Sequence, residues 1–109
     1  MYNYKCSLLR VIDGDTIEAR VDLGFYVETN ITIRLYGINA PESRTKDLEE
    51  KARGLAAKSR LVDLLSSGEF VLNSQGTGKY GRWLGVLFAD GKNVNKTLLD
   101  EGHAEVYLG

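Results

Sequence analysis

Apolar and charged residues alternate strictly from Thr16 to Leu23. Ile17, Ala19, Val21 and Leu23 stand against Glu18, Arg20 and Asp22. A period of two predicts a half-buried β-strand. The apolar, β-prone residues 4–12 predict a strand before it, and the Asp13-Gly14 turn signal joins the two. Gly24 supplies the next turn. Residues 26–38 then predict a third strand, with Ile31, Ile33 and Leu35 on one face and Thr32, Arg34 and Tyr36 on the other. Three consecutive strands on short connections form a meander.

The period changes after residue 44. Leu48, Ala52, Leu55, Ser59 and Val62 follow helical spacing, which predicts a helix within residues 45–68. Thr45 is the expected N-cap, Asp47, Glu49 and Glu50 sit near the positive helix end, and Gly68 is the expected stop. Gly54 inside this helix should cost about 1 kcal/mol relative to alanine, so a close packing contact is expected there. Residues 69–74 predict a fourth strand, 75–81 a loop and 82–89 a fifth strand, with a hairpin end at 89–94. A short second helix follows, with Asn93 as cap and Gly102 as stop, and residues 104–109 are extended.

This order predicts a β-rich α+β fold: a five-stranded OB-type barrel, with a helix between strands three and four and a short helix after strand five. A generic α+β sandwich is the alternative. The 109 residues are expected to form a single domain, 1–109.

Composition narrows the function classes. Formal net charge is −1, so any binding of a polyanion must come from local placement of charge. One cysteine, Cys6, excludes an internal disulfide and reads as a small core-facing strand residue. With one histidine beside it, a zinc site of sulfur and imidazole ligands is excluded. The first residues carry no long apolar run, so neither signal peptide nor membrane span is expected, and the expected location is cytoplasmic.

Three clusters could carry chemistry. Asp13-Gly14-Asp15-Thr16 puts two carboxylates at a loop tip, hard oxygen ligands suited to Ca²⁺ or Mg²⁺. Taken alone, it is more simply a hairpin turn whose glycine meets a positive φ. Arg34 with Asn39, Ala40, Pro41 and Glu42 sets a cation and a carboxylate around a rigid turn. Singly, these are a solvated strand arginine, a loop acid and the chain's one proline. Lys79-Tyr80-Gly81-Arg82 offers two cations and an aromatic, able to grip phosphate and stack a base. Its plainer account is a charged loop.

Together the clusters are far more specific. "DGDT", "IRLYGINAPE" and "KYGRWLGVLFADG" occur in that order and in those structural contexts. The combination resembles the thermonuclease family, the staphylococcal-nuclease-like domains, from about Val11 to about Val106. The resemblance implies an OB-type barrel and a Ca²⁺-dependent nuclease acting on DNA and RNA, preferentially single-stranded, with Mg²⁺ or Mn²⁺ as substitute metals. It implies that Asp15 ligates the metal, that Asp13 acts on it through water, and that Ala40 lends a backbone carbonyl. Arg34 and Arg82 match the arginines that clamp the scissile phosphate. Glu42 matches the carboxylate that activates or positions the attacking water. Lys79 and Tyr80 match positions that contact nucleotide phosphate.

The sequence departs from the family at three points. Asn39 stands where an aspartate usually supplies the second metal carboxylate. An amide oxygen keeps the geometry and loses a charge, so weaker metal binding is expected. The mild acidity implies weaker non-specific affinity for nucleic acid. Many members continue into a further helix, so a less covered barrel face is expected here, consistent with a monomer or a weak homo-oligomer. His103 is expected to be a surface or helix-end residue, and Tyr107 is the one candidate for the late tyrosines relatives use near substrate. The rival function is a catalytically impaired nucleic-acid-binding or scaffolding module, which Asn39 favours and the retained Asp15, Arg34, Glu42 and Arg82 oppose.

Overall fold

Ten elements follow one another in the computed structural model, which describes residues 3–78 and 81–107. They are β1 (Asn3–Asp13), β2 (Thr16–Asp22), β3 (Glu28–Leu35), β4 (Ile38–Asn39), α1 (Leu48–Leu64), β5 (Glu69–Thr77), β6 (Trp83–Ala89), β7 (Lys92–Asn93), α2 (Val94–Asp100) and β8 (Glu105–Val106). The main sheet runs β3-β2-β1-β5-β6-β7, and a parallel β3–β6 pairing closes five of these strands into a barrel. The expected β-rich barrel with two helices is therefore present.

Alternation decides what faces the barrel interior. Ile17, Ala19 and Val21 on β2 and Ile33 and Leu35 on β3 are buried, as the period of two requires. Leu72 and Leu87 meet them from β5 and β6. Fully burying each of these large aliphatic side chains stabilises the fold by roughly 1.5–3 kcal/mol. Cys6 is buried in the same core, and burial pushes its thiol up to about 11, against a weaker opposing backbone hydrogen bond. Leu23 breaks the pattern. It lies past the end of β2 and is 47% exposed, because the chain has already entered the Gly24–Val27 turn. That turn holds Phe25 and Tyr26 at positive φ with both rings in solvent.

The helix α1 exists where expected, but it turns a different face inward. Gly54, Ala57, Leu61 and Leu64 are buried, whereas Leu48 (79%), Leu55 (47%) and Val62 (46%) are exposed. Small residues form the upper half of the buried face because the helix lies very close to neighbouring backbone there. The N-cap is Asp47 rather than Thr45. Asp47 Oδ1 accepts the amides of Glu49 (3.0 Å) and Glu50 (3.2 Å), while Thr45 Oγ1 accepts the amide of Asp47 itself (3.3 Å). The helix ends at Leu64, before Gly68, which takes the positive φ that closes the connection to β5. The β5 strand runs on to Thr77, so residues 75–77 are strand rather than loop.

The third expected strand is broken in two. β3 stops at Leu35, Tyr36 and Gly37 turn, and β4 pairs with β8. Buried Asn95 holds this corner in place. Its Oδ1 accepts the Leu87 amide (3.1 Å), and its Nδ2 donates to the carbonyls of Tyr36 (2.9 Å) and Gly85 (3.1 Å). Among the described residues no helix is long and apolar enough to cross a membrane.

Candidate active site

Asp15 closes the turn between β1 and β2, and three groups fix its buried carboxylate. Thr16 Oγ1 donates to Oδ1 (3.0 Å), and the Ala40 amide donates to Oδ2 (2.8 Å). Arg34 Nη1 lies 3.0 Å from the same Oδ2. The register explains the meeting, since Thr16 pairs with Arg34 across β2 and β3 and the Leu35 amide donates to the Asp15 carbonyl (2.8 Å). Both partners of the ion pair are largely buried, so deleting one leaves an unpaired charge at a cost of about 3–5 kcal/mol.

Arg34 is held on several sides. Besides Asp15, its Nη1 donates to the Ile38 carbonyl (3.1 Å) and its Nη2 to Asn39 Oδ1 (3.0 Å). The Tyr107 ring stands against it, 5.7 Å from guanidinium carbon to ring centroid. Tyr107 is carried there by the β4–β8 pairing and by its own amide, which donates to the Gly37 carbonyl (2.9 Å). Arg82 immediately precedes β6, whose Trp83 and Leu84 pair with Ile33 and Arg34. The parallel closure of the barrel thus sets Arg34, on β3, beside the start of β6, which Arg82 leads into. Lys79 and Tyr80 lie outside the described residues.

Glu42 occupies an exposed turn after Pro41, and the surroundings grip its backbone. Its amide donates to Glu50 Oε2 (3.2 Å), and its carbonyl lies against Gly54. A Cβ on Gly54 would stand 2.3 Å from the Glu42 oxygen and 2.5 Å from its carbon. Here is the close contact expected of a mid-helix glycine. The next residue, Ser43, is buried, and its hydroxyl donates to Asp13 Oδ1 in a short hydrogen bond. Arg44 Nη2 lies 3.8 Å from the other Asp13 oxygen. Asp13 therefore joins the β1–β2 turn to the turn that carries Glu42.

Gly14 serves packing rather than turn conformation. It is absent from the positive-φ glycines, so the expectation of a left-handed turn residue is corrected. A Cβ here would meet the Ala57 Cβ at 2.6 Å and the Ala40 Cβ at 3.1 Å. The α1 face made of Gly54 and Ala57 is thus the common floor of both acidic turns.

The oxygens of Asp15 and Asn39 converge on one guanidinium, so the fold already holds a positive charge at this point. Such a donor set fits a hard cation. It is thin, because among the described residues no three His, Cys, Asp or Glu side chains gather as a metal cage. One carboxylate, the Asn39 amide oxygen and the nearby Ala40 backbone could hold a divalent ion together with water and a substrate phosphate.

Beside the site runs a polar crevice of about 360 Å³, lined by Asn39, Pro41, Glu42, Glu50, Arg53 and His103 among others. A wider hollow of about 650 Å³ lies elsewhere, against Lys5, Arg20, Phe70 and Phe88. It contains none of the candidate residues, so size alone does not mark the chemistry. His103 is half-buried, with Nε2 4.0 Å from Glu101, as fits a residue at a helix end.

Ser43 and Glu50 were not singled out for this site by the sequence pattern. The Asp47-x-x-Glu50 spacing marks a helix start whose glutamate usually bonds locally, so it points away from the Glu42 contact.

A sequence profile of the family described as staphylococcal nuclease homologue matches residues 32–108, which include Arg34, Asn39, Glu42 and Arg82. The chain is 32% identical over 114 residues to a micrococcal nuclease of Shigella flexneri, covering 96% of this chain and 59% of that protein. It is 35% identical over 103 residues to the endonuclease YncB of Bacillus subtilis, covering 92% and 46% respectively. A prophage-derived endonuclease, YokF, of the same organism matches at 35%, with 33% of its length covered. The chain spans about half the length of the first two of these relatives.

Proposed function

Because this chain belongs to the staphylococcal nuclease family, we propose that it is a metal-dependent nuclease that hydrolyses phosphodiester bonds of DNA and RNA, single strands above duplex. Ca²⁺ is the expected metal, and Mg²⁺ or Mn²⁺ would meet the same oxygen donors. One observation carries the reading. Asp15 and Asn39 converge on Arg34 beside a turn that presents Glu42.

In this reading Asp15, Asn39 and the Ala40 carbonyl hold the ion, and Asp13 supports it through water while it accepts the Ser43 hydroxyl and faces Arg44 as an ion pair. When bound, the ion supplies positive charge to the phosphate oxygens as they become more negative. Arg34 and Arg82 bind the same phosphate through charge-assisted hydrogen bonds. The Asp15 and Asn39 oxygens that would hold the ion are those Arg34 now bonds, so Arg34 exchanges these two contacts for the phosphate while the Ile38 carbonyl and the Tyr107 ring still flank it. Glu42 accepts the proton of the attacking water. Lys79 and Tyr80 contact flanking nucleotide phosphate.

The second reading is a catalytically impaired binding or scaffolding module. Asn39 favours it, because its amide contributes no charge to a metal. Incubating denatured DNA with the protein, with Ca²⁺ titrated into the millimolar range and an EDTA control, separates the two. Cleavage that appears with Ca²⁺ and stops with EDTA is the expected result. Binding without cleavage at every Ca²⁺ level would leave only the binding module.

A further inference from the structure

We propose that Glu50 is the positioning residue for Glu42, acting through the Glu42 backbone amide. The inference rests on the reading of Glu42 as the group that takes the water's proton.

Glu50 is the third residue of α1, three positions after the N-cap Asp47. A glutamate at this position ordinarily reaches back to the amide of the N-cap residue and completes a capping box. Here the Asp47 amide is taken by Thr45 Oγ1 instead (3.3 Å), and Asp47 still caps the amides of Glu49 and Glu50. The Glu50 carboxylate is therefore released from local capping. It accepts the amide of Glu42, eight residues earlier in the chain (3.2 Å).

Gly54 is four residues further along α1 and so lies on the same helix face as Glu50. It leaves room for the Glu42 carbonyl, which fills the place of a side chain. One turn of helix thus holds the Glu42 peptide at both ends, with a hydrogen bond at the amide and backbone contact at the carbonyl. Ser43, tied to Asp13, closes the third side. The Glu42 carboxylate is left exposed and lines the crevice. A proton acceptor must be free at its carboxylate and fixed at its backbone, and this arrangement provides both.

The test compares wild type with Glu50→Ala, Glu50→Gln and the neighbouring control Glu49→Ala. Three readouts are taken: the exchange rate of the Glu42 amide by NMR, kcat and KM on denatured DNA at saturating Ca²⁺, and the melting temperature. Glu50→Ala should speed exchange at Glu42 and lower kcat by ~10- to 100-fold with KM unchanged, the loss typical of a misplaced group. Glu50→Gln retains an acceptor oxygen and should recover most of both. Glu49→Ala should leave exchange and kcat as in wild type.

The proposal is overturned if Glu50→Ala keeps full kcat while Glu42→Gln is inactive. It is equally overturned if kcat falls in proportion to the folded fraction alone. Should wild type itself fail to cleave, the nuclease reading is lost. Unchanged Glu42 exchange in Glu50→Ala would then remove the backbone clamp as well.

Discussion

Substituting Gly54 by alanine sets a helix preference against a backbone contact. Alanine is favoured over glycine in a helix interior by about 1 kcal/mol. Were propensity the whole story, Gly54→Ala would stabilise the protein and leave its activity alone. The added Cβ, however, would lie 2.3 Å from the Glu42 oxygen, 2.5 Å from its carbon and 2.7 Å from the Ser43 nitrogen. All three are backbone atoms, which cannot rotate away as a side chain could. Reaching ordinary contact at 3.4 Å requires the helix and the turn to part by 3.4 − 2.3 = 1.1 Å.

Overpacking of this kind costs about 1–3 kcal/mol, so the net loss of stability is up to ~2 kcal/mol. A shift of this size in the turn that carries Glu42 lowers kcat by up to ~100-fold. The melting temperature and the kcat/KM split on denatured DNA measure both effects. A variant that melts higher than wild type and cleaves as fast would refute the argument, because helix propensity alone would then describe Gly54.

The other expectations concern the metal and the helix pair. Asn39→Asp adds a carboxylate where Asn39 Oδ1 now accepts Arg34 Nη2, so the Ca²⁺ concentration needed for half-maximal cleavage should fall; an unchanged requirement would remove Asn39 from the metal site. Arg60 donates two hydrogen bonds to Glu101, at 2.6 and 2.9 Å, joining α1 to the end of α2. The hydrogen bond from Arg60 is the main cause that holds the Glu101 carboxyl below the ordinary glutamate value of 4.5. A depressed folded-state value stabilises above the ordinary value, and the gain is lost as pH falls from there through the folded value. The effect should be small, because the pair is exposed to solvent. Melting temperatures across this acid range should therefore fall less steeply in Glu101→Gln than in wild type, and parallel curves would show that the pair contributes nothing.

The barrel was legible because strand alternation is a strong signal, and Ile17, Ala19, Val21, Ile33 and Leu35 all point inward as their spacing requires. The inner face of α1 was not. Hydrophobic spacing singles out Leu48, Leu55 and Val62, yet Gly54 and Ala57 make the closest approach because they are small. A pattern that weighs side chains by hydrophobicity undervalues positions whose use is their lack of a side chain. Gly14 shows the same limit: "DGD" reads as turn chemistry, whereas the space is taken by Ala40 and Ala57.

At the candidate site, the residue types and their order were readable, but their partners were not. Nothing local in the sequence pairs Asp15 with the Ala40 amide, 25 residues away, or Ser43 with Asp13. Asn95, which fixes the β3–β4 corner from inside the second helix, resembles any polar helix residue until its three backbone partners are seen.

The most direct test of the account is cleavage of denatured DNA by Glu42→Gln at saturating Ca²⁺, with binding of the same DNA followed in parallel. Glu42 is exposed, and among the described residues the turn is held through its backbone amide and carbonyl, so the variant should fold and bind as wild type does. By contrast, removing Arg34 would also unpair the buried Asp15. The account predicts wild-type binding with cleavage reduced by ~100-fold or more, the range of a lost general base. Undiminished cleavage by this variant would contradict the account, because the proton of the attacking water would then be taken by another group.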